Sequence, residues 1–456
     1  MLRMRRGLAG AVAVTSAVVL ALGGGFFEGG VARAEPGEMR CGQPVGREFE
    51  RATPEQAGLD AGRLADALRF AASRNRLNVQ VFRNNCLIGE GPSNAETGRI
   101  AWNVWSVTKS VVSLLAGIAW DRGELDIHAP IGHYLPAGLG DSAHRAITVE
   151  NLLTETSGLH IGTITEGITG VIPIDPFSAV QALAVPFDNP PGTTFTYSQR
   201  NVDLLSYVIE LAVGEPLQQF AQRELFGPIG IQRGDYYWAR DRSGHTYGYA
   251  HLMIPPDDLS RLGLLVSNDG VWRGQRIVSH AYLHRAATPS ATDQCYGYLF
   301  WTGSGCAENP DFMPGDSYDM SGMGLQNVFF IPSLGLTVMW TGFFGVHTTK
   351  GPLGILVYGG ELSHEFFRRL LAAFEHSPIP DPGPYVEKPV RLNTADYLDA
   401  DIALAVFGVG PDAYPGCNVL SCLNVPLAAP FSDAPPGCLV VACVGPDPRT
   451  PGIRRQ

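Results

Sequence analysis

The sequence predicts an α+β domain in which one antiparallel sheet is built from both ends of the domain. A mainly helical lobe is inserted at about 124–285. Three observations carry this. A β-rich hairpin pattern lies at 77–90, two further β-rich runs lie at 325–331 and 336–341, and the segment between reads mostly as helices and loops. Strands far apart in sequence must share one sheet to bury their apolar faces, so the middle of the chain packs beside them. A cleft is expected where lobe and sheet meet.

The elements follow in order. Arg3, Arg5 and Arg6 precede an apolar, small-residue run from Leu8 to Phe27, and Ala32-Arg33-Ala34 follows it. This is the pattern of a secretory signal peptide at 1–34, with cleavage expected after Ala34. An uncleaved membrane anchor is the competing reading, weakened by Gly23-Gly24-Gly25 and Glu28. Loss of four Arg and one Glu takes the net charge from −11 to −14. That acidity, with no basic run, argues against a nucleic-acid partner. The apolar content of 45% is enough for a packed core. One folded domain is expected at 35–376 and a Pro-, Gly- and Cys-rich tail at 377–456.

Residues 61–74 carry Leu64, Leu68 and Ala71 at helical spacing. Asn84-Asn85 between two β-rich runs predicts a hairpin, because Asn tolerates left-handed turn geometry. A helix then runs to Gly123, a fitting C-terminal stop. Further helices are expected at 148–156, closed by Gly158, and at 201–213, 257–266 and 361–374. In the tail, Pro415-Gly416-Cys417 to Cys422 recurs as Pro436-Gly437-Cys438 to Cys443. This is a two-copy repeat, read as a disulfide-pinned linker or tail, with an envelope-binding appendage as the competing reading.

The eight cysteines show no Cys-x-x-Cys pair, so zinc and thioredoxin-like readings are disfavoured. Disulfides are expected in an exported chain. Cys295 and Cys306 flank a Gly-rich loop and are expected to pair, and Cys41 and Cys86 offer a tie between N-terminus and hairpin. For 417, 422, 438 and 443, local and crossed pairing both remain open. His280 and His284 sit at i, i+4 without a third ligand nearby and read as a solvated helix face.

The chemistry concentrates at Trp105-Ser106-Val107-Thr108-Lys109. Residues i and i+3 share one helix face, so the Ser106 hydroxyl and Lys109 amine are neighbours. A serine becomes nucleophilic when a base takes its proton. The N–H of a residue opening a helix is free to hold an oxyanion. Taken alone, the spacing also fits a plain helix cap and a solvated lysine. Tyr197 follows the turn Pro190-Pro191-Gly192 and precedes a helix. A tyrosine beside a lysine cation is a fitting general acid/base. Ser321-Gly322-Met323-Gly324 opens a strand, where Gly322 and Gly324 permit close approach to a substrate and the Met323 N–H offers a second oxyanion donor. Asp175, in Pro173-Ile174-Asp175-Pro176, is a candidate for the cleft lining.

Together these segments resemble the penicillin-recognising serine hydrolases, in particular the class C β-lactamase-like family. That family includes esterases, D-amino-acid peptidases and 6-aminohexanoate-dimer hydrolases. Thr148 to Leu159 is similar to the family's T-x-x-x-L-L-T-x-T-S-G-L, and Pro191 to Ser198 to its P-G-x-x-F-x-Y-S-N. Asp258–Leu265 and Gly297–Trp301 also match, and the likeness covers roughly 50–376. The resemblance implies a β-lactamase/transpeptidase-like fold with Ser106 as nucleophile, Lys109 as its partner and Tyr197 as general acid/base. No metal or cofactor enters this chemistry. Two positions depart from the pattern. Gln199 stands where the family has Asn, and Ser321-Gly322-Met323 replaces Lys-Thr-Gly or His-x-Gly, as in the esterase and oligoamide-hydrolase branches. His347-Thr348-Thr349-Lys350 reads as loop. The expected activity is exported hydrolysis of a small-molecule or peptide-like ester or amide, with a cell-envelope association. The rival reading is a catalytically idle envelope-binding protein.

Overall fold

The computed structural model describes residues 39–343, 360–387, 398–438 and 440–444. The signal segment and the 347–350 loop lie outside the described residues. In chain order the framework is α1 (Ala61–Ser73), β1 (Arg76–Arg83), β2 (Cys86–Glu90), β3 (Ala101–Asn103), α2 (Val107–Asp121), α3 (Val149–Leu153), α4 (Thr163–Val171), α5 (Gln199–Val213), β4 (Tyr237–Trp238), β5 (Leu252–Ile254), α6 (Pro256–Ser267), β6 (Trp301–Thr302), β7 (Tyr318–Gly322), β8 (Gln326–Ile331), β9 (Leu336–Gly342), α7 (Gly360–Ala372), α8 (Ala400–Val406) and β10 (Ala442–Cys443).

The main sheet has the order β2-β1-β9-β8-β7-β6. Its pairings are antiparallel, and β1 from the front of the domain lies against β9 from the back, with Val79 opposite Trp340 and Val81 opposite Val338. The sheet is thus built from both ends, as the strand pattern predicts. Side chains alternate across it. Val79, Val81, Phe329, Val338 and Trp340 face α1 and α7, packing on Leu64, Leu68, Phe366 and Phe367. Phe82, Val328, Phe330 and Met339 join the larger core with Val111, Val112 and Leu262. With both faces covered, these strands read as apolar runs rather than alternating ones.

Local chemistry explains the boundaries. Asn84 (φ 47°) and Asn85 (φ 69°) both occupy the left-handed region, as a tight hairpin turn requires. Thr148 and Asn151 form a reciprocal cap that starts α3. Ser198 caps α5 by accepting the Asn201 N–H, and Gly214 ends it at φ 72°. Four disulfides join Cys41–Cys86, Cys295–Cys306, Cys417–Cys422 and Cys438–Cys443, so the tail cysteines pair locally.

Two features go beyond the expectation. A four-stranded sheet of order β10-β3-β5-β4 accompanies the mainly helical lobe. The described part of the tail packs on the domain. Its strand β10 pairs with β3, Ala442 opposite Trp102. The tail also places α8 against α4, where the Asp399 N–H donates to Thr165 Oγ1 at 2.9 Å. The physical reason is the open edge of β3. Its unpaired backbone groups need partners, and the tail strand supplies them.

Candidate active site

The segment Val104–Ser106 links β3 to α2 under tight control. Asn103 is fully buried, and its Oδ1 accepts the Trp105 N–H at 2.9 Å. Its Nδ2 donates to the Val440 carbonyl at 2.8 Å, tying this point to the tail. Trp105 has φ 48°, a left-handed conformation uncommon for a bulky residue. That twist delivers Ser106 as the N-terminal cap residue of α2, with its side chain not spent on capping the helix.

Against this segment runs the end of β7. A Cβ on Gly322 would lie 2.2 Å from the Val104 carbonyl oxygen and 3.2 Å from the Ser106 nitrogen. Only glycine fits there. Gly322 therefore serves close packing of strand against helix start, beyond the expected approach of a substrate. Met323 follows on the β7–β8 turn, 38% exposed. Gly324 (φ 74°) and Leu325 (φ 63°) turn the chain back. Buried Arg76 braces this turn by donating to the carbonyls of Leu325 and Phe343. The Gln326 side chain clamps Gly342 with bonds of 2.7 and 3.0 Å.

Lys109 lies one turn into α2 and is 1% exposed. Its Nζ donates to the Ser198 carbonyl at 2.9 Å, stands 3.5 Å from Glu155 Oε1, and lies 4.5 Å from the Tyr197 ring centroid. The amine's direct hydrogen bond thus goes to the α5 cap residue rather than to Ser106. Burial lowers the Lys109 pKa, opposed by the negative charges of Glu155, Asp203 and Glu166. Tyr197 is half-buried, stacked on Trp301 at 5.7 Å and edge-on to Tyr296 at 6.1 Å. These rings fix its position beside the amine.

The other expected site residues fall out as follows. Gln199 opens α5 and is 9% exposed, and its side-chain oxygen has no hydrogen-bond partner among the described residues. Asp175 is 3% exposed and sits between Tyr247 OH at 3.3 Å and the Arg200 guanidinium at 3.8 Å. Burial raises its pKa, with Arg200 opposing. It faces a buried network rather than open surface. No group of three or more His, Cys, Asp or Glu suited to a metal occurs among the described residues. His280 instead meets Asp269 at 2.8 Å.

Sequence reasoning missed two carboxylates. Glu155 has a fully buried side chain, and its carboxylate receives the Ser198 N–H and the Tyr296 hydroxyl. Burial pushes its pKa up to about 7 against the pull of Lys109. Glu166, 2% exposed, accepts the Gln199 N–H at 2.7 Å and the Arg200 N–H at 3.3 Å, holding the start of α5. Glu155 stood inside the Thr148–Leu159 segment, between two threonines. A charged residue amid a run destined for burial was the available signal.

A serine at a helix start with its N–H against a strand edge, a buried lysine one turn on, and a tyrosine held over that lysine match the arrangement that the β-lactamase-like resemblance implies. The beta-lactamase family model matches residues 90–347, and the chain belongs to that family. An uncharacterized protein of Mycobacterium tuberculosis is 26% identical over 65% of this chain and 85% of its own length. Esterase EstB of Burkholderia gladioli is 30% identical over 37% of this chain and 52% of its own. A Bacillus anthracis structure provisionally assigned as a 6-aminohexanoate-dimer hydrolase superposes with a TM-score of 0.54 at 13% identity. It covers 68% of this chain and 85% of that one.

Proposed function

We propose that the protein is an exported serine hydrolase that cleaves an ester or amide bond through a Ser106 acyl-enzyme. The observation that carries this reading is the buried Lys109, one helical turn from Ser106 and 4.5 Å from the Tyr197 ring. A lysine with 1% exposure has no role as a solvated surface charge. The esterase relative supports an acyl substrate. Export is supported by four disulfides, and no helix of the described residues is long and apolar enough to cross a membrane.

The reaction runs in four steps. Ser106 Oγ attacks the carbonyl carbon while its proton passes to the Tyr197–Lys109 pair. The carbonyl electrons move onto oxygen, which the N–H groups of Ser106 and Met323 hold. The C–O or C–N bond then breaks, and the same pair returns the proton to the leaving group. Water, deprotonated by that pair, attacks the acyl carbon and releases the acid, and Ser106 regains its proton. Gln199, Gly322 and Gly324 border the substrate. Asp175 acts behind them, on Arg200.

The test is turnover of four uncharged or charged classes: a carboxylic ester, an oligoamide, a β-lactam and a peptidoglycan-type peptide. Wild type is expected to hydrolyse at least the ester, with Ser106→Ala losing on the order of 10⁴-fold or more in rate while staying folded. Near-normal turnover in folded Ser106→Ala refutes the assignment.

A further inference from the structure

We propose that Glu155 is a positioning residue for this reaction: its buried carboxylate is the counter-charge that fixes the Lys109 amine over the Tyr197 ring and keeps the Lys109–Tyr197 pair basic enough to accept the Ser106 proton. The inference rests on the serine-hydrolase reading above.

Burying Lys109 carries an electrostatic cost. An amine removed from water favours its neutral form, and a neutral amine so placed is a weak base. A nearby negative charge restores proton affinity. Five elements present titratable or charged groups toward this amine. Glu155 comes from the loop after α3, Glu166 from α4, Asp203 from α5, Tyr197 from the segment before α5, and Tyr249 from the segment before β5. Tyr296 reaches the same pocket through Glu155.

Of the carboxylates, Glu155 is the one in ion-pair contact, at 3.5 Å. Glu166 binds the backbone N–H groups of Gln199 and Arg200 through Oε2 and acts on the amine from beyond ion-pair distance. Asp203 accepts the Gly248 N–H at 2.7 Å and acts on the amine from beyond ion-pair distance. Glu155 is therefore the carboxylate in direct contact with the amine and the strongest of the three charges acting on it.

Its geometry is built for that task. Glu155 has φ 52°, a conformation that a non-glycine residue keeps only where its surroundings enforce it. Two bonds do so. The Thr196 N–H donates to the Glu155 carbonyl at 2.9 Å, and the Ser198 N–H donates to its carboxylate. Both donors flank Tyr197. One residue thus locks the segment that carries the tyrosine and faces the lysine. An ammonium has three donors. Ser198 O and Glu155 engage two of them.

Glu155→Gln tests this. It keeps the side-chain length and an acceptor oxygen for Ser198, removes the charge, and puts an amide NH2 where Oε1 faces Lys109 and Tyr296. Losing a negative charge makes the Lys109–Tyr197 pair give up its proton more readily. The acid limb of the kcat/KM profile for an uncharged ester is therefore expected to move to lower pH by about 1–3 units. The plateau rate falls because the base is weaker, and KM changes little. A purely structural residue would lower the rate at every pH without moving the limb. Glu155→Asp, which keeps the charge, is expected to retain the wild-type limb. A second readout uses wild type alone. Carbon-13 NMR of the Lys109 side-chain carbon next to Nζ and of the Glu155 carboxyl is expected to show shared inflections. An unmoved limb in folded Glu155→Gln, or independent titration of the two wild-type signals, overturns the proposal while leaving the hydrolase reading intact. If wild type neither turns over nor labels at Ser106, the hydrolase reading itself fails, and the proposal with it.

Discussion

At the scale of single residues, the site depends on side chains whose surroundings fix their positions. Tyr197 is clamped between Trp301 and Lys109. Tyr197→Phe keeps that packing and removes the hydroxyl, so it is expected to slow turnover by roughly 10²–10⁴-fold with little change in thermal stability. Full activity would route the proton through Lys109 alone and contradict the pair. Gly322 makes a different prediction. A methyl group there collides with Val104 O at 2.2 Å, and either β7 or the start of α2 must move. Gly322→Ala is expected to cost about 1–3 kcal/mol of stability by overpacking. It should also slow reaction of Ser106 with a fluorophosphonate by roughly 10²-fold, the scale of a displaced oxyanion donor. A folded Gly322→Ala protein that reacts at the wild-type rate would show that the β7 edge does not form the hole.

At the scale of elements, legibility followed the length of the pattern. The hairpin at Asn84-Asn85, the helix α5, and strands β8 and β9 all carried local signals of six or more residues, and each appears where expected. The strands β3, β4 and β5 are two or three residues long, too short for a period to register. The pairing of β10 with β3 joins residues more than three hundred positions apart, and nothing local announces it. The site divides the same way. Ser106, Lys109 and Tyr197 stood in recognisable spacings. Glu155 did not, because its role arises from a left-handed backbone and a burial that only the assembled lobe creates. The β10–β3 pairing carries its own prediction. The Asn103 N–H donates to Val441 O at 2.8 Å, and Asn103 also holds Trp105, two residues further on. Replacing both Cys438 and Cys443 by Ser loosens β10, so hydrogen exchange at the Asn103 amide is expected to accelerate. Unchanged exchange would mean that β3 needs no support from the tail.

At the scale of the whole molecule, the architecture brings together what the sequence separates. The sheet pairs β1 with β9, the lobe between them supplies Glu155 and Tyr197, and α2 carries Ser106 and Lys109 through the centre of the larger core. Helix α2 is buried along nearly all its length, so the nucleophile stands on one of the most rigidly packed elements of the fold. The tail closes the β3 edge, and the four disulfides pin its loops, the N-terminal hairpin and the loop after Trp301. Every part of this account converges on one covalent bond at Ser106 Oγ. The most direct measurement is the intact mass of the purified protein after brief reaction with a fluorophosphonate and, separately, with a slowly deacylating ester, followed by peptide mapping. The account predicts a single adduct on Ser106 in wild type and none in folded Ser106→Ala. An adduct on another residue, or continued hydrolysis by Ser106→Ala, would contradict it.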